Sequence, residues 1–134
     1  MRLARKLAAD RSGLAAVEFA VAFPVLIVLI WGIFQVAFLF RANAGMQHAL
    51  GEGARFATIW PTPSDTAIQA KITSHKFGLN GSTHGGTWST PTITTNTTAK
   101  TKLIQVTYSQ PMDFLFFSGP TVTLQKSKLV YLAD

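Results

Sequence analysis

The pattern of apolar and polar residues divides the chain into a long apolar segment near its start and a mixed, strand-prone remainder. From Phe19 to Phe34, sixteen consecutive residues carry no charged or strongly polar side chain, and the apolar segment as a whole runs from Leu14 to Phe40. At about 1.5 Å per residue, a helix of that length would rise about 40 Å. Because the hydrocarbon core of a bilayer is about 30 Å thick, the segment predicts a transmembrane helix.

Two other interpretations of the apolar segment explain less of the sequence. A core helix of a soluble protein normally has a polar stripe, whereas residues 19–34 are apolar on every side. A cleaved secretory signal has a shorter apolar stretch followed by small residues, and small residues do follow at 42–45. Basic side chains before the segment favour a single-pass protein with a cytoplasmic N-terminus and an outer C-terminal part; these are Arg2, Arg5, Lys6 and Arg11.

The apolar helix is predicted to continue beyond the membrane as a stem, so that the transmembrane and stem helix spans residues 14–60. Small residues recur on one face of the stem, among them Ala49 and Gly53, and small side chains let helices approach closely. This face suits packing between subunits, packing against the protein's own sheet, or both. Pro24 removes a backbone donor inside the apolar part, so a kink or local melting is expected near residues 20–24. Pro24, Ala49 and Gly53 are therefore candidate subunit-packing residues.

Residues 61–134 are predicted to form a small extracytoplasmic domain that begins with a short helix. Two prolines in three residues, Pro61 and Pro63, end the stem. Ser64 then has the character of an N-cap, and an amphipathic pattern predicts a helix that reaches about Lys76.

The last third of the chain predicts strands. Residues 103–108 are the clearest strand, and residues 121–126 alternate apolar and polar positions toward a continuation at 129–132. The segment 110–120 contains three phenylalanines and is expected to be a loop that folds back over the core. The alternative is an exposed apolar patch that contacts lipid or another subunit. The expected fold class is α+β, with a long N-terminal transmembrane helix, a short helix and a small antiparallel sheet.

Charge does not point to a nucleic-acid partner. The net charge is +6, but the basic residues after position 13 are scattered, whereas a nucleic-acid footprint clusters on one face. Two lysine pairs are expected to lie on a solvated face of the sheet; they are Lys100 with Lys102, and Lys126 with Lys128.

The side chains also indicate no catalytic or metal site. The sequence contains no cysteine, which excludes disulfides and thiolate metal sites. No nucleophile has a recognisable base beside it. The histidines lack the paired spacing of a zinc site; they are His48, His75 and His84. The chain is therefore interpreted as a non-enzyme without a metal or cofactor.

Glu18 is the one charged residue inside the apolar segment, and it lies five positions after Gly13. A carboxylate at the centre of a membrane helix costs roughly 2.5–3.5 kcal/mol on insertion scales. Glu18 therefore requires either a partner or a position at the level of the lipid headgroups.

Two stretches resemble the TadE-like family, the minor pilins or pseudopilins of the bacterial tight-adherence pilus. The first is GLAAVEFAVAF, from Gly13 to Phe23 and followed by Pro24; the second is MQHALGEGARFA, residues 46–57. The resemblance covers about residues 10–60. It implies that residues 1–13 are a leader cut off by a prepilin peptidase after Gly13. The processing site then comprises Gly13, Leu14, Glu18 and Phe19.

The resemblance also implies a role for Glu18 in subunit packing. Cleavage would create an α-amine at Leu14 that is positively charged at neutral pH. Glu18 of one subunit could pair with the Leu14 amine of a neighbour, and such a buried pair is satisfied only in the correct register.

The predicted function is that of a minor pilin or pseudopilin that takes part in pilus initiation, at the pilus tip or in surface adhesion. The implied partners are other pilin subunits, the prepilin peptidase, the inner-membrane assembly platform and the lipid bilayer. The implied location is the bacterial cytoplasmic membrane, or an extracellular pilus. Two alternatives are a single-pass anchored binding module and a pseudopilin of a secretion system.

Overall fold

The computed structural model describes residues 12–79 and 85–132, which form two helices and one antiparallel sheet. This order confirms the predicted α+β class, with the long helix first and the short helix before the sheet. Residues 1–11 of the predicted leader lie outside the described residues. The elements are α1 (Ser12–Ala57), α2 (Asp65–Ser74), β1 (Thr87–Trp88), β2 (Thr92–Asn96), β3 (Thr101–Phe114) and β4 (Phe117–Tyr131).

Helix α1 is continuous over 46 residues and includes Pro24. The local melting expected near residues 20–24 is therefore not observed, since the loss of one backbone donor is tolerated within a long helix that is formed on both sides of the proline. The helix ends before residue 60 in tighter turns, in which the Thr58 and Ile59 amides donate to the Arg55 and Phe56 carbonyl oxygens. A cis peptide bond between Trp60 and Pro61 follows.

Helix α2 begins at the N-cap that the sequence predicted. The Ser64 hydroxyl oxygen accepts a hydrogen bond from the Ala67 amide at 3.2 Å, which satisfies one of the free donors of the first turn. The helix ends at Ser74 rather than at Lys76, because the His75 amide donates to the Ile72 carbonyl oxygen in a tighter last turn.

Strand β3 is the centre of the sheet. Strand β4 pairs with it antiparallel along one edge, from Thr101 opposite Tyr131 to Phe114 opposite Phe117. Strands β1 and β2 pair in succession along the other edge, at residues 108–109 and 101–105 of β3. The sheet is therefore a long hairpin of β3 and β4, and the part of β3 nearer the open end of the hairpin also pairs with β1 and β2.

The prediction of a loop at residues 110–120 is wrong. Both strands continue through this segment and leave only Leu115 and Phe116 as the turn. Pro111 is tolerated because it lies next to a register irregularity and beyond the last pair with β1, where β3 is bonded along a single edge. At about 3.4 Å per residue, the hairpin extends roughly 45 Å from its open end to its tip.

The core lies between one face of the sheet, α2 and the second half of α1. Side chains at alternating positions of β3 point into it, as the twofold repeat of a strand requires. The fully buried members from the three elements are Ala42, Met46, Ala49, Ala57, Ile68, Ile72, Ile104, Val106 and Tyr108.

Lys102 belongs to the buried face of β3, so the solvated position expected for it is wrong. It occupies the same alternation as Ile104, and its ammonium group pairs with the Asp65 carboxylate at 2.5 Å. Asp65 lies in the first turn of α2, where a negative charge is favourable.

Replacing Ile104 with alanine tests this core. Because Ile104 is fully buried, Ile104→Ala is expected to lower the free energy of unfolding by about 2–5 kcal/mol. The matched control is Leu129→Ala on β4, whose side chain is 51% exposed and should cost less than about 1 kcal/mol. Urea unfolding in detergent micelles, followed by near-UV circular dichroism, measures both. Equal losses would contradict the placement of the core.

Candidate processing site and membrane helix

Gly13 and its neighbours lie at the exposed beginning of α1. A Cβ atom placed on Gly13 would meet no other atom within 4 Å. Leu14 and Phe19 are 70% and 66% exposed, respectively. Phe19 contacts Phe23 one turn later, with ring centres 5.5 Å apart. The structure thus leaves the predicted processing residues uncovered by the rest of the described chain.

Glu18 is exposed on the same part of the helix. It shares a helix face with Ala22, Val25 and Leu29. Within residues 12–79 and 85–132, no basic side chain forms an ion pair with its carboxylate. Glu18 is thus a single charge on an apolar surface, and a partner for it has to come from outside this part of the chain.

The first half of α1, residues 14–40, exposes apolar side chains except along one strip of partly or fully buried positions, which are residues 27, 28, 31, 32, 35, 38 and 39. A contiguous apolar surface of this extent marks contact with a membrane or another protein. Helix α1 is the one helix among the described residues that is long and apolar enough to cross a membrane, and no residue of its most apolar stretch is buried. The larger exposed side chains of this half are Leu14, Val17, Phe19, Val21, Phe23, Val25, Leu26, Leu29, Ile30, Ile33, Phe34, Val36 and Phe40.

Comparison with known protein families finds one family to which this helix is similar. Residues 13–55 match the model of the family described as TadE-like protein. The match begins at Gly13, the residue predicted to precede the cleaved bond, and it confirms the resemblance seen in the sequence. The matched residues comprise the candidate membrane anchor and most of the stem that follows it. No curated protein and no solved structure matches the chain.

The candidate packing residues of the TadE-like segment fall into two groups. Pro24 is exposed, like Glu18, whereas Ala49 is fully buried and Gly53 lies against α2. A Cβ atom on Gly53 would come within 2.1 Å of Cγ1 of Ile72. Their position favours the alternative that Ala49 and Gly53 pack against the protein's own domain. A role for them between subunits stays a prediction.

One contact of the TadE-like segment was not predicted. The Trp31 indole and the Gln35 amide both donate to the backbone carbonyl oxygen of Asp113, at 2.6 Å and 2.7 Å. The signal in the sequence was Gln35, a polar residue that interrupts the apolar segment four positions after Trp31. Residues four apart share a helix face, but no local pattern indicates which strand they would meet.

The structure brings two of the three histidines together. The ring centres of His48 and His75 are 6.3 Å apart, and the His48 ring also lies 5.5 Å from the ring of Phe77. Among the described residues, no group of three or more metal-binding side chains accompanies them. His84 lies outside the described residues. The pair is therefore part of the packing between α1 and the end of α2.

Replacing Gly53 with alanine distinguishes packing within the chain from packing between subunits. The added methyl group would overlap Ile72, so Gly53→Ala is expected to lower the free energy of unfolding of the isolated chain by about 1–3 kcal/mol. Gly51→Ala is the control on the same helix, because its Cβ would meet nothing within 4 Å. It should raise stability by up to about 1 kcal/mol. Thermal unfolding of the monomer in detergent measures both, and a Gly53→Ala chain as stable as Gly51→Ala would place Gly53 at a subunit contact instead.

Proposed function

We propose that the chain is a minor pilin or pseudopilin of a tight-adherence pilus, cut by a prepilin peptidase between Gly13 and Leu14. Residues 1–13 are then the leader, residues 14–60 the membrane span and stem, and residues 61–134 the outer domain. The observation that carries the proposal is Glu18, a single exposed carboxylate in the apolar first half of α1, five residues after an uncovered glycine.

Cleavage at this bond suits the location of the charges. The basic residues before Gly13 are retained on the cytoplasmic side of the membrane. The bond after Gly13 then lies at the cytoplasmic surface, where α1 enters the bilayer. Cutting there removes the basic leader and keeps the whole apolar helix, in contrast to a secretory signal, which is lost with its apolar stretch.

The same cut supports assembly through Glu18. It creates a new α-amine at Leu14, and it places Glu18 near the N-terminus of the shortened helix, where the helix dipole favours a negative charge. When the apolar halves of α1 from several subunits pack together, the amine of one can meet the carboxylate of the next. Because an unpaired buried charge is costly, this pairing selects one register between helices.

The outer domain is carried on the second half of α1 and is free to act beyond the packed helices. Its core includes Met46 and Ala49 of α1 together with α2 and the sheet, so it is rigidly attached to the stem. We propose that this domain acts in pilus initiation, at the tip or in surface adhesion. Its partners are other pilin subunits, the peptidase and the inner-membrane assembly platform.

The N-terminal residue of the chain recovered from its native membrane tests the cleavage. The wild-type chain is expected to begin at Leu14, and a Gly13→Ala variant is expected to keep residues 1–13, because the resemblance to the TadE-like family places the cut directly after this glycine. Intact mass spectrometry measures both. Gly51→Ala serves as the control, since it changes a glycine of the same helix with open space around it and should be cut normally.

The other outcomes separate the alternatives. A wild-type chain that keeps Met1 would mean a plain membrane anchor, as in a singly anchored binding module. A chain that begins after Arg41 would mean a secretory signal and would refute the proposal. A cut chain that is found in a secretion complex and never in pili would favour a pseudopilin of a secretion system.

Replacing Glu18 with glutamine tests its role in assembly separately from cleavage. Glu18→Gln removes the charge that pairs with the Leu14 amine and leaves that amine buried alone, at about 3 kcal/mol or more. The amount in sheared pili, relative to the cut chain in the membrane, is therefore expected to fall roughly a hundredfold. Glu52→Gln is the control, because Glu52 is the other glutamate of α1 and lies in its second half. Normal incorporation of cut Glu18→Gln would refute the pairing.

A further inference from the structure

The tip of the β3–β4 hairpin reaches back to the apolar half of α1. The Asp113 carbonyl oxygen accepts hydrogen bonds from Trp31 and Gln35. A Cβ atom on Gly32 would lie 3.4 Å from the Phe114 ring. The open end of the hairpin lies beside residues 51–58 of α1, so the hairpin runs along the helix with its turn directed toward the helix N-terminus.

This direction brings the turn to the depth of the membrane span. Gln35 lies six positions before Arg41, or about 9 Å along the helix, and Trp31 lies about 15 Å before it. Arg41 is the first charged residue after the apolar segment, and Trp31 is of the type that anchors at membrane interfaces. The outer boundary of the hydrocarbon core therefore falls between Trp31 and Arg41. The turn extends beyond Asp113 toward the cytoplasmic side and lies beneath that boundary.

The residues at the turn are apolar and uncovered. Leu115, Phe116 and Phe117 are 54%, 71% and 57% exposed, respectively. Phe114 and Met112 line an apolar groove together with Val28, Leu29, Gly32, Ile33 and Val36 of α1. The apolar surface of the tip is thus continuous with that of the candidate membrane span.

The turn itself does not explain these residues. Two-residue hairpin turns favour Asn-Gly or similar pairs that adopt positive φ angles. Here the turn is Leu115–Phe116, and neither has a positive φ angle. A sequence that departs from local turn preferences at an exposed position points to a requirement from the surroundings.

Polar groups of the hairpin are arranged as a lipid contact requires. An unsatisfied backbone carbonyl in hydrocarbon costs several kcal/mol, and the Asp113 carbonyl, where β3 has lost its outer partner strand, is satisfied by two side chains. Between Leu103 and Gln125 the sequence has one charged residue, Asp113. Its exposed side chain limits the insertion to residues 114–117.

We propose that residues 114–117 form a second membrane contact of this protein, inserted into the outer leaflet of the bilayer that α1 crosses. The occupant of this apolar surface is lipid rather than a second copy, because the tip lies at the depth of the candidate membrane span and its apolar surface is continuous with the exposed apolar side chains of that helix. The inference requires α1 to be in the membrane but does not require cleavage at Gly13. Its failure would therefore leave the processing proposal unaffected.

Spin labels at single cysteines test the insertion, since the chain contains no cysteine of its own. The full chain is reconstituted at one copy per lipid nanodisc of phosphatidylethanolamine and phosphatidylglycerol, with a nitroxide at Phe116→Cys. Leu29→Cys on α1 is the lipid-exposed control, and Thr98→Cys in the exposed turn at the other end of the sheet is the water-exposed control. Collision rates with oxygen, which concentrates in lipid, and with a water-soluble nickel chelate are measured by electron paramagnetic resonance.

The label at Phe116→Cys is expected to behave like the label at Leu29→Cys, and both should collide more often with oxygen than with the nickel chelate. The label at Thr98→Cys should collide more often with the nickel chelate than with oxygen. Near-UV circular dichroism confirms that the three variants are folded alike. An excess of nickel collisions at Phe116→Cys would overturn the proposal by placing the tip in water. Shielding from both reagents would also overturn it, because it would place the tip against protein.

Discussion

The structure depends on one constraint: a single continuous helix has to satisfy two different surroundings. The first half of α1 is apolar on every side and contributes nothing to the core, whereas the second half is closely packed by α2 and the sheet. Small residues make this packing possible. A Cβ atom on Gly45 would come within 1.8 Å of the Phe77 carbonyl oxygen, and Gly53 is similarly close to Ile72. The domain can therefore approach the backbone of the helix this closely only at positions without a side chain, namely Gly45 and Gly53.

The contact between α1 and Asp113 connects these two surroundings. Gln35 is 93% buried within the apolar half, which is unfavourable for an amide unless its hydrogen bonds are made. Together with Trp31 it closes the hairpin onto the helix at the point where the core ends and the exposed span begins. The orientation of the outer domain relative to the span is thus fixed at two separated points, near Gly53 and near Gln35.

Much of the fold could be predicted because its signals are local. These signals depend only on neighbouring residues. They are the apolar run of α1, the Ser64 cap and the alternation in β3, and the structure has all three. The continuation of the hairpin through residues 110–120 could not be predicted, because prolines and glycine favour a loop by local rules, whereas pairing with the opposite strand extends each strand. Lys102 was misplaced for a related reason, since its partner Asp65 is 37 positions away. The processing residues could be proposed only through the resemblance to the TadE-like family, and which part of the surface is left uncovered depends on tertiary contacts.

The membrane helix and the hairpin tip would both be affected when such a subunit leaves the membrane and enters a fibre. If both proposals hold, the apolar half of α1 and the tip residues 114–117 share one lipid environment in the bilayer. Both surfaces would then lose their lipid together when a subunit enters a fibre, because the Trp31 and Gln35 hydrogen bonds hold the tip to the helix. Neighbouring helices must then cover the tip as well as the span. The Glu18 pairing can fix the axial register of those helices, but it lies about 20 Å along the helix from Trp31. The tip is thus well placed to determine which neighbour fits around the outer part of the span, a choice that the charge at Glu18 alone does not specify.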